Sequence, residues 1–289
     1  MPVIVIDMIL TFLDTRSLCR FSQTSRMHRY LVWDDNRRTV QRLLSDFQLP
    51  GKRFIEMLRQ TGSVIGGPLA LSALLHIPAH EHEMDLYVPE KRAYDVIGCI
   101  SDLNPGYHKT SKPIVDTDLT DGIAHRFRLL KKDSEDQHRN ITIHVSSTDS
   151  AIRPLFGLKN TLEMTFISGY GIACAYPQLT MHCSGLWNIA GDENTPSDPA
   201  YVTVLRKSAV ALRGSVTVCT VRNIGMWPKF WDHVCGEDGS CPLTTRHIFD
   251  RFVYFTPFPT AVEDNKRIVA PVSLQNSTHL CLYVYSCLQ

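Results

Sequence analysis

Two carboxylates in this chain have a spacing that could support metal chemistry. Glu83 and Asp85 belong to the run Glu83-Met-Asp-Leu-Tyr-Val88, whose polar and apolar residues alternate as in a β-strand. Residues two apart on a strand point the same way, so both carboxylates could hold divalent metal ions at a triphosphate. The upstream turn at Gly66 and Gly67 could offer backbone amides to the phosphates. One hypothesis is therefore a site for divalent metal ions and phosphate groups at Gly66, Gly67, Glu83 and Asp85.

The elements around these residues follow a recognisable order. A short strand before the glycine pair is followed by a helix that opens at Pro68, by the acidic strand and by a helix over 93–103. A second alternating strand is predicted at 140–145. This order resembles the nucleotidyltransferase fold, in which a glycine turn precedes a strand with two acidic residues separated by one position. The resemblance implies a mixed sheet and, in active members, a third carboxylate on an adjacent strand. It also implies, for an active member, Mg²⁺ with a nucleoside triphosphate at Gly66, Gly67, Glu83 and Asp85.

That third carboxylate is missing from the strand predicted beside Glu83 and Asp85. The open face of 140–145 would carry Asn140, Thr142 and His144, none of which is an anion. Two metal ions bring about four positive charges, and two carboxylates compensate half of them. We therefore expect a degenerate fold used for recognition, with no metal and no cofactor. An active, metal-dependent nucleotidyltransferase or a nucleotide-binding pseudoenzyme is the alternative.

The N-terminal residues have the periodicity of short helices. Behind Pro2, the positions Ile6, Ile9, Leu10 and Leu13 share one helical face. The pair Asp14-Thr15 is typical of a cap for a second helix, and the apolar pattern continues in later helices to about residue 47. A bundle of about 45 residues buries too little surface to be stable alone, so something must cover it.

The order of these residues resembles the F-box. A proline-led helix ends in Phe12-Leu13-Asp14, and Ser17-Leu18 and then Ser22-Gln-Thr-Ser25-Arg26 follow. The sequence departs from the family where an acidic residue often follows the proline and a Trp follows the Ser-Arg turn, since Val3 and His28 stand near those places. The resemblance implies a helical hook that binds a Skp-family adaptor and joins a cullin scaffold in a ubiquitin ligase. Its adaptor-binding residues would be Pro2, Ile6, Ile9, Leu10, Leu13 and Leu18. The alternative is a helical cap packed on the rest of the chain.

Taken whole, the chain resembles fungal proteins that join an F-box to a nucleotidyltransferase-like region. The motifs that carry this resemblance are Ile65-Gly-Gly67, Met84–Pro89 and the run from Phe166 to Pro177. We predict an α+β fold with a helical F-box-like module at 1–46 and a degenerate, mixed-sheet nucleotidyltransferase-like domain at 47–289. The predicted function is that of a substrate-recruiting adaptor, not an enzyme, which binds an unknown protein client.

Composition narrows the functional classes. Of 289 residues, 44% are hydrophobic and 20% charged, as in globular proteins, and the net charge of +1 disfavours nucleic acid as a partner. No run approaches the roughly 20 apolar residues of a membrane span. The 9 cysteines are scattered and no secretory leader precedes them, which favours reduced thiols in the cytoplasm or nucleus. Cys235 and Cys241 are too widely spaced for a zinc knuckle.

Five further segments receive a prediction from their local pattern. Residues 111–121 are polar and predict a loop, and Asp198-Pro199 predicts the start of a helix that ends at Gly214. Short strand-like runs are expected at 215–222, 247–258 and 280–284.

Overall fold

The computed structural model describes residues 3–77, 83–110, 122–132, 138–156, 158, 161–181, 184–186, 217–219 and 253–259. Pro2, the predicted loop at 111–121, the predicted helix from Asp198 to Gly214, the cysteines Cys235 and Cys241, and the predicted strand at 280–284 lie outside these residues.

Four helices open the chain: α1 (Val3–Phe12), α2 (Thr15–Thr24), α3 (Arg26–Asp46) and α4 (Gly51–Thr61). The side chain of Asp14 accepts a hydrogen bond from the Ser17 N–H at 2.8 Å and thereby caps α2. Ser25 caps α3 in the same way by accepting the His28 N–H at 3.0 Å. The predicted cap at Asp14 is confirmed, and these two caps explain why the chain breaks into separate helices at residues 13–14 and 25.

The remaining elements alternate between short helices and strands. In chain order they are β1 (Val64–Gly66), α5 (Gly67–Leu75), β2 (Glu83–Val88), α6 (Ala93–Leu103), β3 (His108–Lys109), β4 (Ile123–Lys132), β5 (His138–Ser146), α7 (Arg153–Phe156), β6 (Thr165–Ser168), β7 (Gly171–Cys174), α8 (Pro177–Thr180), β8 (Ser184–Leu186), β9 (Thr217–Cys219) and β10 (Tyr254–Pro257). Short 3-10 turns at Glu90–Arg92 and Thr161–Glu163 precede α6 and β6.

Eight of these strands form one mixed sheet in the order β10-β7-β6-β1-β2-β5-β4-β3. The β2–β5 pair is parallel and the other pairs are antiparallel. A parallel pair needs a crossover connection, which α6 begins. The predicted α+β fold, with an N-terminal helical region and a mixed sheet, is confirmed.

The principal core lies between the sheet and the helices on one of its faces. Alternate residues of β2 and β5 enter it, including Met84, Leu86, Ile141 and Ile143, all fully buried. The same cluster contains Val40, Leu43 and Leu44, from the second half of α3. The core therefore runs across the predicted boundary between residues 46 and 47 without a break.

Hydrogen bonds also join the N-terminal helices to the sheet domain. The Thr15 hydroxyl donates to the Leu74 carbonyl at the end of α5, at 2.7 Å. The Asn36 side-chain amide donates to the Thr256 hydroxyl of β10 at 2.8 Å, and its oxygen accepts from His76 Nε2 at 2.9 Å. Because Thr15, Asn36 and Thr256 are buried, these bonds satisfy groups that would otherwise be costly to desolvate.

Within the described part of the chain, no helix is both long enough and apolar enough to cross a membrane.

Candidate functional site

The acidic strand β2 lies beside β5, as the sequence predicts. The parallel register places Glu83 next to Asn140, Asp85 next to Thr142, and Tyr87 next to His144. These six side chains share the face of the sheet opposite the principal core. Antiparallel pairing adds Arg126 and Arg128 of β4 to the same face, opposite His144 and Thr142.

His144 is hydrogen-bonded to Asp85, the second of the two carboxylates. Its Nε2 lies 2.8 Å from Asp85 Oδ1, and Arg126 Nε donates to its Nδ1 at 3.3 Å. Because Nδ1 accepts a hydrogen bond from Arg126, Nε2 carries the ring proton and donates a hydrogen bond to Asp85. The ring stacks on Tyr87 with centroids 4.7 Å apart, and the residue is only 7% exposed. Both ring nitrogens are thus occupied by groups of this chain.

Glu83 also has a partner on β5. The Asn140 side-chain amide donates to Glu83 Oε1 at 3.2 Å. Among the described residues, no group of three or more His, Cys, Asp or Glu side chains is arranged to hold a metal ion. Glu83 and Asp85 therefore share a face, as predicted, and on it an amide and an imidazole are bonded to them. Burial raises the pKa of Tyr87 on this face, and the charges of Asp85 and Glu163 raise it further.

The glycine turn between β1 and α5 is filled by the chain's own side chains. Gly67 has φ +65°, and a Cβ at this position would meet Asp85 Oδ2 at 2.7 Å. A Cβ at Gly66 would meet Leu155 of α7 and the ring of Tyr87, both at 2.7 Å. Both glycines are buried. Their lack of a side chain is thus required by intramolecular packing, and nothing further has to approach the turn to explain it.

Sequence reasoning missed two contributors to this face. Arg126 lies in β4, a strand that was not predicted although arginines at 126 and 128 alternate with the buried Phe127 and Leu129. That alternation is the signal that could have found it. Leu155 lies in the four-residue helix α7, which is too short for a period to be visible.

The predicted adaptor-binding residues that the structure describes differ in how far they are buried. Ile6, Leu10 and Leu18 are buried with Leu31 and Val32 in a small core formed by α1, α2 and α3. Leu13 packs against that core and is half-buried, whereas Ile9 is exposed. Three of the six side chains are therefore covered within this chain, and an adaptor would have to contact others.

A different face of α1 presents apolar side chains to solvent. Val5, Met8, Ile9 and Phe12 are exposed, with Met8 at 60% and Phe12 at 85%. Their spacing of three, one and three residues places them in one stripe along the helix. The described residues include seven large exposed hydrophobic side chains, and six of them lie between positions 5 and 30. These six are the four residues of α1 together with Met27 and Tyr30 of α3. This set, Val5, Met8, Ile9 and Phe12, is called the α1 stripe below.

No protein-family model matches the chain, and no curated protein or solved structure is detectably similar to it.

Proposed function

We propose that this chain is an F-box-type substrate-recruiting adaptor. In this proposal the α1 stripe docks on a Skp-family adaptor and so joins a cullin scaffold in a ubiquitin ligase of the cytoplasm or nucleus. The α+β remainder then holds a protein client. The observation that carries the proposal is the α1 stripe, because exposed large apolar side chains concentrated at one place are a mark of protein interaction sites.

The helix that carries the stripe is already held in place. Ile6 and Leu10 anchor the opposite side of α1 in the small helical core. A partner would therefore bind a preformed helix and would not have to order a flexible segment, which lowers the entropic cost of association. Complete burial of an exposed Met or Phe side chain contributes about 1.5–3 kcal/mol. Met8 and Phe12, the most exposed of the four, would contribute most.

The polar face of the sheet supports a recognition role for the rest of the chain. Catalysis by paired metal ions needs free carboxylate oxygens and a compensating third anion. Here one oxygen of Asp85 is bonded to His144 and one oxygen of Glu83 to Asn140. The buried glycine turn is covered by Leu155 and Tyr87. These contacts favour a nucleotidyltransferase-like arrangement that has lost its metal site.

The test is binding of the full-length chain to an immobilised Skp-family adaptor. Phe12→Asp and Met8→Asp each place a charge in the stripe while leaving the small helical core intact. We expect each to weaken binding about 10- to 100-fold, the equivalent of losing one buried side chain. Tyr94→Asp is the matched control, since Tyr94 of α6 is 73% exposed and lies outside the N-terminal helices. Absence of binding by the unmutated chain would remove the proposal, and so would equal losses in all three variants.

A metal-dependent nucleotidyltransferase is the second candidate. The observation in its favour is the shared face of Glu83 and Asp85 beside the turn that begins α5, where Asp85 Oδ2 approaches Gly67. Its cofactor would be Mg²⁺ with a nucleoside triphosphate, held by Glu83 and Asp85. A rise in the melting temperature of the chain with Mg²⁺ plus ATP or CTP would distinguish it from the first candidate.

A further inference from the structure

We infer that the surface formed by α2 and the first part of α3 fits an acidic face of a protein partner, an inference that rests on the proposed function. Residues 15–33, which span α2 and the first part of α3, contain four arginines and no aspartate or glutamate. Arg16 and Arg20 are one turn apart on α2, and Arg26 and Arg29 are one turn apart on α3. This concentration contrasts with the net charge of +1 for the whole chain.

None of the four guanidinium groups forms an ion pair with a described residue. Further along α3, by comparison, Arg37 and Arg38 are both paired with Asp34. Asp14 accepts the Ser17 N–H at the cap of α2, and this hydrogen bond lowers the pKa of Asp14, with a smaller contribution from the charges of Arg16 and Arg20. Within the described chain, α2 and early α3 therefore carry four cations without a direct ion pair, two of which act on Asp14 through their charge.

Charge and apolar surface alternate on the same turns. Met27 and Tyr30 are exposed and stand next to Arg26 and Arg29 in the first two turns of α3. These turns lie in the helix that packs against α1 through Leu31 and Val32. The first turns of α3 thus carry exposed apolar side chains next to cations.

An acidic protein face satisfies both features better than the other polyanions do. Interfaces with nucleic acid are strongly polar, and a stripe with the aliphatic side chains Val5, Met8 and Ile9 would gain nothing there. A helix that lies in a membrane surface carries Lys or Arg on its own polar face, whereas α1 has no basic residue and contains Asp7. Complementary charge between proteins mainly raises the rate of encounter.

Charge reversal tests the inference. In Arg16→Glu/Arg26→Glu both new carboxylates stand in the first turn of a helix, where an acidic residue is favourable, so the fold should be retained. Lys52→Glu/Arg53→Glu is the matched control, because these exposed, unpaired cations occupy the first turn of α4. The measurement is the association rate of each full-length protein with the Skp-family adaptor at 20–300 mM salt.

We expect the Arg16/Arg26 variant to associate at least about tenfold more slowly at low salt, with a flatter salt dependence and a similar dissociation rate. The control should match the unmutated chain. Binding that is abolished by Phe12→Asp but indifferent to Arg16/Arg26 reversal overturns this inference and leaves the proposed function standing. No binding by the unmutated chain overturns both. The inference is also overturned if the chain binds phosphatidylserine vesicles or a DNA duplex more tightly than it binds the adaptor, and if Phe12→Asp weakens that binding.

Discussion

His144 stands on β5, on the face of the sheet that also carries Glu83 and Asp85. Its imidazole bridges Asp85 and Arg126, so a carboxylate and a guanidinium that face each other across β5 are joined through a neutral ring. Because both nitrogens are bonded and the ring is stacked on Tyr87, the orientation of the imidazole is fixed by contacts with β2 and β4. At the residue scale, His144 therefore acts as a structural link between β2, β5 and β4.

Replacing His144 with Asp tests whether this face is a disabled metal site. The variant places a second carboxylate near Asp85, and like charges at short range raise the free energy of the folded state. We expect a loss of about 1–3 kcal/mol in unfolding free energy, since the hydrogen bonds to Asp85 and Arg126 are also lost. Millimolar Mg²⁺ should restore part of the loss, because a bound cation stabilises the folded state by mass action. Thermal unfolding with and without Mg²⁺ is the measurement.

The control for this experiment is His144→Asn, which removes the imidazole without adding charge and should show no recovery with Mg²⁺. The unmutated chain should show the same melting temperature with and without Mg²⁺ plus ATP or CTP. If its melting temperature instead rises with these ligands, and the rise disappears in Asp85→Asn, the nucleotidyltransferase candidate replaces the recognition role.

His76 links folding stability to pH. Its Nε2 donates to Asn36 Oδ1, and burial lowers its pKa from the ordinary 6.5, an effect that Arg42 reinforces and the nearby Asp35 opposes. A lowered pKa means that the folded state favours the neutral ring. The contribution of the neutral His76 ring to the unfolding free energy is present above pH 6.5. It is lost as the pH falls from 6.5 toward the pKa of His76 in the folded state.

When the pH is lowered from about 7 to about 5, we expect the unfolding free energy of the His76→Asn variant to fall by less than that of the unmutated chain. Asn suits this position because His76 has φ +55°, in the left-handed region that Asn tolerates better than most residues. Urea unfolding of both proteins at the two pH values gives the comparison. Equal losses would show that protonation of His76 does not contribute.

At the scale of elements, the sequence predicts strands and helices where one period dominates. β2 and β5 alternate strictly, so their existence and their core-facing residues could both be predicted. In contrast, α1 reads Val-Ile-Val-Ile-Asp-Met-Ile-Leu-Thr-Phe and is apolar on nearly every side. Periodicity identifies the helix but cannot choose which face is buried. That choice depends on Leu31 and Val32 of α3, which meet Ile6 and Leu10.

The candidate site also has features that the sequence could predict and features that it could not. The shared face of Glu83 and Asp85, and that of Asn140, Thr142 and His144, was predictable, because an alternating strand presents alternate residues to one face. The bond from His144 to Asp85 depends on register and rotamer, and the part played by Arg126 depends on an antiparallel strand far along the chain. Such contacts arise from tertiary packing, which local patterns do not encode.

At the scale of the whole molecule, α3 belongs to two cores. Its first half packs on α1 and α2 through Leu31 and Val32, while Val40, Leu43 and Leu44 in its second half enter the principal core of the sheet domain. Asn36, between the two halves, is bonded to both His76 and Thr256. A division of the chain at residues 46 and 47 would therefore cut through packed side chains and not through a linker.

Two truncations test this shared helix. A chain of residues 47–289 lacks three buried side chains of the principal core, and removal of a single buried Leu or Val commonly costs about 1–5 kcal/mol. Because whole domains are stable by only about 5–15 kcal/mol, we expect this truncation to lose cooperative thermal unfolding. A chain of residues 25–289 keeps α3 and should still unfold cooperatively, at a lower temperature, since it loses the Thr15–Leu74 bond and exposes Leu31 and Val32. If residues 47–289 instead melt at the temperature of the full chain, the N-terminal helices are an independent module and the shared core contributes nothing to stability.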